Sequence, residues 1–148
     1  GNKLQGSLPG EWAQMAELRY VDLSSNLLSG SLPAAWGAWT RVQYFSVMEN
    51  ELIGSVPDTW GQWEAVEYLS LEQNQLTGTL PTTLFLLPAV RDLLLGYNAW
   101  TGALPHGISG MTQLRSLVVR GPRQTPDAAE GGLGGELPAD FGNWTAEV

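Results

Sequence analysis

Few residues in this sequence could support catalysis. His106 is the only histidine, and the absence of cysteine excludes both a cysteine nucleophile and a thiolate metal site. The glycine motif that holds phosphates, the G-x-S-x-G motif and the H-E-x-x-H motif are also absent. Glu49 and Glu72, which we place on equivalent strand positions of neighbouring units, could pair as the acid and base of a glycosidase. Because like-charged neighbours arise by chance in an acidic chain, we predict a non-enzymatic protein with no cofactor and no metal site.

The overall charge limits the classes of partner. The 148 residues include 15 acidic and 7 basic side chains, which give a net charge of -8. Nucleic-acid binding depends on clustered lysine and arginine, and no such cluster is present, so we predict no nucleic-acid partner. No apolar stretch approaches the roughly 18 residues needed to cross a bilayer, so this segment is not predicted to span a membrane itself.

The dominant pattern is a repeat with a period of 24 residues. Gly-Ser-Leu-Pro at residues 6–9 returns, with small changes, at residues 30–33, 54–57, 78–81 and 102–105. Self-similarity at such a period is typical of a solenoid, in which each unit packs only on its neighbours. A column of asparagines keeps the same step: Asn2, Asn26, Asn50, Asn74 and Asn98.

The repeat also predicts the domain organisation. We expect residues 1–148 to form one solenoid domain and a monomer. Neither end has the polar unit that caps such arrays, so we expect an internal segment of a longer array. A sixth copy of the tetrapeptide, at residues 135–138, arrives nine residues late and indicates an insertion at about residues 122–131. This insertion is either a tolerated length variant or a loop that contributes to binding.

Each unit divides into a strand, a turn and a short helical segment. Leu18, Val21 and Leu23 include the alternation of a strand with one buried face, and successive units should stack these strands in parallel. The asparagine column then lies where the chain leaves the sheet, where its amides can satisfy backbone groups. After the Gly-x-Leu-Pro segment, apolar residues recur in steps of three, as in Trp36 and Trp39, which suits a 3₁₀ turn on the opposite side of the coil.

Six of the seven tryptophans fall in these apolar columns. We interpret them as core residues at the back of the coil, the alternative being an exposed aromatic shelf that binds sugars. Trp100 takes the place of a leucine in the turn segment, and we expect it to pack inward.

The consensus L-x-x-L-x-L-x-x-N-x-L-x-G-x-L-P resembles the leucine-rich repeat, in the subtype first associated with plant receptors. Residues 32–39, LPAAWGAW, resemble more closely the repeats of the promastigote surface antigens of Leishmania and related kinetoplastid surface proteins. The resemblance implies an α/β solenoid: a right-handed coil with a parallel β-sheet on its concave face and short 3₁₀ or loop segments on the convex side. A short second strand near the L-x-G-x-L-P segment is also implied.

Specificity in such a coil resides in the side chains that the consensus leaves free. Tyr20, Tyr44 and Tyr68 share one column, so their rings should stack along the concave face, either as interface anchors or as a ladder that only stabilises the sheet. The predicted binding residues on this face are Tyr20, Asp22, Tyr44, Ser46, Met48, Glu49, Tyr68, Ser70, Glu72, Asp92, Leu94, Tyr97 and Arg120.

The resemblance implies a secreted or cell-surface protein that recognises other macromolecules. We expect a protein partner, such as a host receptor, or a glycoconjugate, bound through the concave face. Asn143 lies in an N-x-[ST] sequon that could be glycosylated in the secretory pathway. The alternatives are a plant-type receptor ectodomain, a secreted inhibitor of another protein, or a structural surface-coat spacer without a specific partner.

Overall fold

The computed structural model describes residues 2–121 and 132–136. Within these residues the chain forms stacked coils, each with two short strands and one 3₁₀ turn, as the repeat predicts. The predicted insertion at residues 122–131 and the sequon at Asn143 lie outside the described residues, so both stay predictions. The strands are β1 (Gln5–Ser7), β2 (Tyr20–Asp22), β3 (Leu27–Ser31), β4 (Tyr44–Ser46), β5 (Glu51–Gly54), β6 (Tyr68–Ser70), β7 (Gln75–Gly78), β8 (Asp92–Leu94), β9 (Ala99–Trp100) and β10 (Ser116–Val118).

The concave sheet consists of β2, β4, β6, β8 and β10, paired in parallel in that order. The register advances by one repeat at each step, so Tyr20 pairs with Tyr44 and Tyr44 with Tyr68. The central residue of each strand points into the coil, and Phe45 and Leu69 are completely buried there. The alternation of side chains along a strand therefore leaves the flanking residues on the open face.

The second sheet confirms the strand implied by the family resemblance. It consists of β1, β3, β5, β7 and β9, again parallel and in that order, on the side where each coil turns away from the concave sheet. Leu28, Leu52 and Leu76 point inward from this sheet and are buried. Trp100 takes the equivalent inward position in β9, as expected, and its Nε1 donates a hydrogen bond to the Leu95 carbonyl at 2.7 Å.

Short 3₁₀ turns complete the coils on the convex side. Apolar residues three apart meet on one side of such a turn, and this brings Trp36 and Trp39 into the core with no exposed surface. The described part of the chain contains no helix that could cross a bilayer. The turns span Gly10–Gln14, Ala34–Ala38, Asp58–Gln62, Thr82–Leu86 and Ile108–Gly110.

The tryptophans link successive 3₁₀ turns through their indole N–H groups. Trp63 Nε1 donates to the Trp36 carbonyl at 2.9 Å, and Trp39 Nε1 donates to the Trp12 carbonyl at 3.0 Å. Trp60 Nε1 reaches the Pro33 carbonyl in the same way, at 3.1 Å. Each indole therefore fills the core and also satisfies a carbonyl of the preceding coil, which a phenylalanine could not do.

The asparagine column forms a second series of links between coils. Asn50 Oδ1 accepts a hydrogen bond from the Leu28 N–H of the preceding coil at 3.0 Å. Its Nδ2 donates both to the Val47 carbonyl of its own coil and to the Leu23 carbonyl of the preceding one. Asn26, Asn74 and Asn98 are also buried, and the Oδ1 of each likewise accepts a backbone N–H of the preceding coil, whereas Asn2 is exposed in the first coil.

Candidate functional site

The open face of the concave sheet carries a stack of three phenol rings. Because β2, β4 and β6 pair without a shift, Tyr20, Tyr44 and Tyr68 lie side by side, as predicted. The ring centroids of Tyr20 and Tyr44 are 4.4 Å apart, and those of Tyr44 and Tyr68 are 4.5 Å apart. Interplanar angles of 11° and 4° make both contacts parallel stacks. We call Tyr20, Tyr44 and Tyr68 the tyrosine ladder.

Stacking decides which atoms of the tyrosine ladder a partner can reach. Both faces of the Tyr44 ring are covered by its neighbours, whereas Tyr20 at the end of the stack is 62% exposed. Partial burial, with a smaller contribution from Tyr68, raises the pKa of the Tyr44 hydroxyl to about 12. The phenol is therefore neutral at physiological pH and can both donate and accept a hydrogen bond. The ladder offers a partner ring edges, hydroxyl groups and the open ring face of Tyr20.

Carboxylates surround the tyrosine ladder. Asp22 lies two residues after Tyr20 on the same strand, and Asp92 follows Tyr68 directly in the sheet register. Glu49 and Glu72 lie just beyond β4 and β6. Asp22 accepts hydrogen bonds from Ser24, and Glu49 accepts one from the Ser25 hydroxyl. None of the four carboxylates forms an ion pair with a described residue.

The glycosidase interpretation of Glu49 and Glu72 rested on a wrong alignment. The two residues are not equivalent, because Glu49 aligns with Ser25, Gln73 and Tyr97, which are the left-handed residues of their coils, whereas Glu72 lies one position earlier. The Glu49 backbone N–H bonds to the Glu72 carbonyl at 3.0 Å, which is the ordinary link between the two coils. The pair therefore does not occupy matched positions across a cleft.

Glu72 lies against the backbone of the next coil. A methyl group added to Gly96 would come within 2.9 Å of Glu72 Oε1 and 3.0 Å of Val118 Cγ1, so the carboxylate occupies the space that glycine leaves free. Burial raises the pKa of the Glu72 carboxyl, while the positive charge of Arg120 opposes that shift. Arg120 itself donates a hydrogen bond to the Tyr97 hydroxyl at 3.1 Å. Glu72 is therefore a partly desolvated carboxylate that no cation contacts directly.

An ion pair removes one of the positive charges in the C-terminal half of the face. Arg91 forms an ion pair with Glu67 of the preceding coil, so these two charges cancel. Arg115 and Arg120 remain as the exposed basic residues of the last described coil. The face is thus acidic around the tyrosine ladder and basic at its far end.

Two predicted binding residues are not accessible. Ser46 is 2% exposed and Ser70 is completely buried, although both lie on the concave side of their strands. A serine is short, and both residues sit in a row beside the larger tyrosines, so the neighbouring side chains cover them. Sequence alternation identified the correct face but not the depth of these positions. Met48, Leu94 and Tyr97 are half-buried and keep some accessible surface.

The residue before each buried asparagine of the asparagine column has a conformation that the sequence did not reveal. Ser25, Glu49, Gln73 and Tyr97 all have φ between 54° and 58°, in the left-handed region. Asparagine, aspartate and histidine are the non-glycine residues enriched in this region, and none of them occurs at these four positions, so no local signal marked the turn. This bend brings the Ser25 hydroxyl to the Glu49 carboxylate at 2.7 Å across the coil boundary.

Other functional hypotheses find less support among the described residues. His106 is exposed on the 3₁₀ side, and no group of three or more metal-ligating side chains occurs in residues 2–121 and 132–136. Among the described residues, the tryptophans of the predicted sugar-binding shelf are buried, except for Trp12 in the first coil, which is 36% exposed. The core interpretation of Trp36, Trp39, Trp60 and Trp63 is therefore confirmed.

Comparison with known proteins identifies the repeat. The Leucine Rich Repeat family matches residues 17–39 and 65–87. These segments contain β2 with its following 3₁₀ turn and the corresponding part of the third coil. The fold is therefore a leucine-rich-repeat coil with two parallel sheets, which confirms the predicted fold class. No curated protein matches the sequence significantly.

Several solved structures have the same fold. The plant peptide hormone receptor RGFR1 in complex with RGF2 superposes with a TM-score of 0.79 at 25% identity and covers 82% of this chain. The PEPR1–AtPEP1 structure superposes with a TM-score of 0.78 at 32% identity and covers 80% of this chain. The Arabidopsis receptor kinase HAESA, in complex with the peptide hormone IDA and the co-receptor SERK1, has a TM-score of 0.75 at 29% identity and covers 79% of this chain. The present chain spans only 20%, 17% and 20% of these three structures, or about a fifth of their length.

Proposed function

We propose that this leucine-rich-repeat coil is a non-enzymatic, extracellular module that binds a polypeptide partner through its concave sheet. The observation that carries the proposal is the tyrosine ladder, an aromatic row that faces solvent while Trp36, Trp39, Trp60 and Trp63 of the convex side are buried. Tyrosine is favoured at protein interfaces because its ring loses little conformational entropy and its hydroxyl can still form hydrogen bonds. The similar receptors RGFR1 and HAESA, whose structures were both solved in complexes, support a protein partner.

The proposed contact surface follows the tyrosine ladder and the side chains beside it. Five coils at the roughly 4.8 Å spacing of paired strands give a face about 20 Å long, which is enough for a short extended segment of another protein. Ser46 and Ser70 are left out because they are buried. The proposed contact residues are Tyr20, Asp22, Tyr44, Met48, Glu49, Tyr68, Glu72, Asp92, Leu94, Tyr97 and Arg120.

A protein partner is better supported than a glycoconjugate. Sugars bind aromatic residues mainly through the flat ring face, and stacking covers both faces of the Tyr44 ring and the inner faces of Tyr20 and Tyr68. Peptide groups instead use hydroxyl groups and ring edges, which all three tyrosines present. The second sheet provides no comparable aromatic row.

The biological setting has three versions. A plant-type receptor ectodomain or a secreted inhibitor fits the similar structures. A membrane-anchored and glycosylated surface antigen of the kinetoplastid type, directed at a host receptor, rests on the LPAAWGAW motif and on the Asn143 sequon. A surface-coat spacer requires no specific partner, and the solvent-facing tyrosine ladder weighs against it.

A peptide-display selection tests the proposal. A random library of peptides of about twelve residues, longer than the roughly six that an extended chain needs to span the face, is selected against the purified chain. We expect enriched peptides whose binding is saturable and is lowered at least about tenfold by the double substitution Tyr44→Ala and Tyr68→Ala. Thermal unfolding of this variant should differ little, because both rings lie outside the core.

A matched variant separates the concave face from the rest of the surface. Ser55 and Thr77 lie exposed on and beside the second sheet, and their replacement by Ala should leave the affinity of the selected peptides unchanged. Enrichment of peptides that bind the tyrosine variant and the control equally well would refute the concave site. A selection that yields no saturable binder would favour the spacer.

A further inference from the structure

From the charges around the tyrosine ladder we infer that the concave face takes a basic segment, an extended stretch of a partner protein whose arginine or lysine side chains lie along the tyrosines. This inference rests on the proposed polypeptide-binding function and specifies the chemistry of the partner. It concerns the first four coils, where the ladder and its carboxylates lie.

The concave face around the ladder carries an excess of negative charge. Asp22, Glu49, Glu72 and Asp92 border the ladder without an ion-pair partner among the described residues. Arg19 is the single basic residue at the open-face positions of the first three coils. Elsewhere the chain does pair charges between coils, as Arg41 with Glu17 and Arg91 with Glu67 show. The coil spacing therefore allows such pairs, and the ladder region lacks them.

The tyrosine ladder offers groups that can bind cations. With its ring faces stacked, the ladder presents a row of neutral hydroxyl oxygens that accept hydrogen bonds from guanidinium or ammonium groups. The open face of Tyr20 can also receive a cation, since cations are attracted to the ring face. An acidic partner would instead meet the carboxylates and be repelled.

The spacing of side chains along an extended segment fits the carboxylates of the concave face. Alternate side chains of an extended strand point the same way about 6.7 Å apart, so two or three cations of one segment can reach carboxylates in neighbouring coils. Glu72 is the strongest candidate for direct contact because it is half-buried against Gly96, where a charge is less screened by water. Arg115 and Arg120, at the far end, favour an acidic group or a chain end beyond the basic stretch.

The experiment uses three synthetic fluorescent peptides of about twelve residues, with arginine, glutamate or serine at every second position and serine elsewhere. Binding to the whole chain is measured by fluorescence anisotropy at low salt and at physiological salt. We expect the arginine peptide to bind most tightly, and the double substitution Glu49→Gln and Glu72→Gln to weaken it about tenfold. Added salt should weaken binding as well.

The control variant carries Glu11→Gln and Glu64→Gln, two exposed carboxylates of the convex side that form no ion pair with a described residue. It has the same net charge as the test variant, so it should bind the arginine peptide as the unmodified chain does. Equal losses in the two variants would mean non-specific attraction and would overturn the inference.

The outcomes separate this inference from the proposed function. Tighter binding of the glutamate or serine peptide, lost on Tyr44→Ala and Tyr68→Ala, would overturn the basic segment and leave the concave site standing. Binding of any of the three peptides that ignores both the tyrosine and the glutamate substitutions would overturn both.

Discussion

Asn74 Oδ1 accepts a hydrogen bond from the Leu52 backbone N–H at 3.1 Å, across the boundary between two coils. Asn74 Nδ2 donates to the Val47 carbonyl of the preceding coil, at 2.9 Å, and to carbonyls of its own coil. Leu52 is fully buried, so water cannot replace this acceptor. One side chain thereby satisfies the backbone at the point where two successive coils leave the concave sheet.

The first prediction concerns this contact. Asn74→Ala should lower the free energy of unfolding by about 3 kcal/mol, because it leaves the Leu52 N–H and the bonded carbonyls without partners in a buried place. Asn2→Ala is the matched control: Asn2 is exposed, and its substitution should change stability by less than about 0.5 kcal/mol. Urea unfolding followed by tryptophan fluorescence measures both, and similar losses would contradict the structural role of the column.

The second prediction separates the two contributions of the tryptophans. Trp63→Phe keeps a ring in the core but removes the hydrogen bond to the Trp36 carbonyl and part of the volume, so it should cost about 2 kcal/mol. Trp12 is partly exposed, and Trp12→Phe should cost less than about 1 kcal/mol. Urea unfolding of the two variants gives the comparison, and an equal cost would mean that the indole N–H contributes nothing.

The third prediction concerns packing between the 3₁₀ turns. A methyl group on Gly61 would lie 2.5 Å from Thr83 Cβ and 3.1 Å from the Thr83 carbonyl oxygen. Gly61→Ala should therefore push neighbouring turns apart and cost about 1–3 kcal/mol. At Gly10, where a methyl group meets nothing within 4 Å, the same change should be neutral or slightly stabilising. The midpoints of thermal unfolding of the two variants should move in different directions or by clearly different amounts.

The fourth prediction concerns alkaline pH. The pKa of Tyr44 rises from 10.0 to about 12 in the folded chain, so the folded state holds this proton more tightly than the unfolded state does. Its contribution to stability is complete below about pH 10 and is lost as the pH rises towards about 12. Tyr44→Phe should remove this part of the decline.

Ultraviolet absorbance of the phenolate, measured for the unmodified chain and for Tyr44→Phe, gives the titration directly. The difference between the two curves should show one hydroxyl whose pKa lies well above the ordinary value of a tyrosine. A difference curve centred near 10 would show that the stack does not withdraw Tyr44 from water.

Much of the coil could be predicted because the information repeats. Leu18, Val21 and Leu23 recur in kind at a fixed step, so one alternation assigns the buried face of every concave strand. The stacking of Tyr20, Tyr44 and Tyr68 followed from the same step, since residues one repeat apart become neighbours in a parallel sheet. Depth was not predictable in this way, and Ser46 and Ser70 proved to be buried on the open side.

Charge pairing was also beyond the sequence. Arg91 pairs with Glu67 because both side chains extend over the boundary between two coils. The alignment of Glu49 with Glu72 was wrong for a different reason: the 24-residue step of the sequence itself places Gln73, not Glu72, at the position equivalent to Glu49.

The sequence by itself determined the period, the strand and turn of each coil, the inward residues and the columns of asparagine, tryptophan and tyrosine. It could do so because stacked coils turn equivalent positions into contacts. Only the tertiary structure decided that the Trp63 indole donates a hydrogen bond to the Trp36 carbonyl, that both faces of the Tyr44 ring are covered, and which carboxylates of the concave face lack a cation. Such facts depend on distances of a few ångströms between side chains of neighbouring coils, which the order of residues along one coil does not contain.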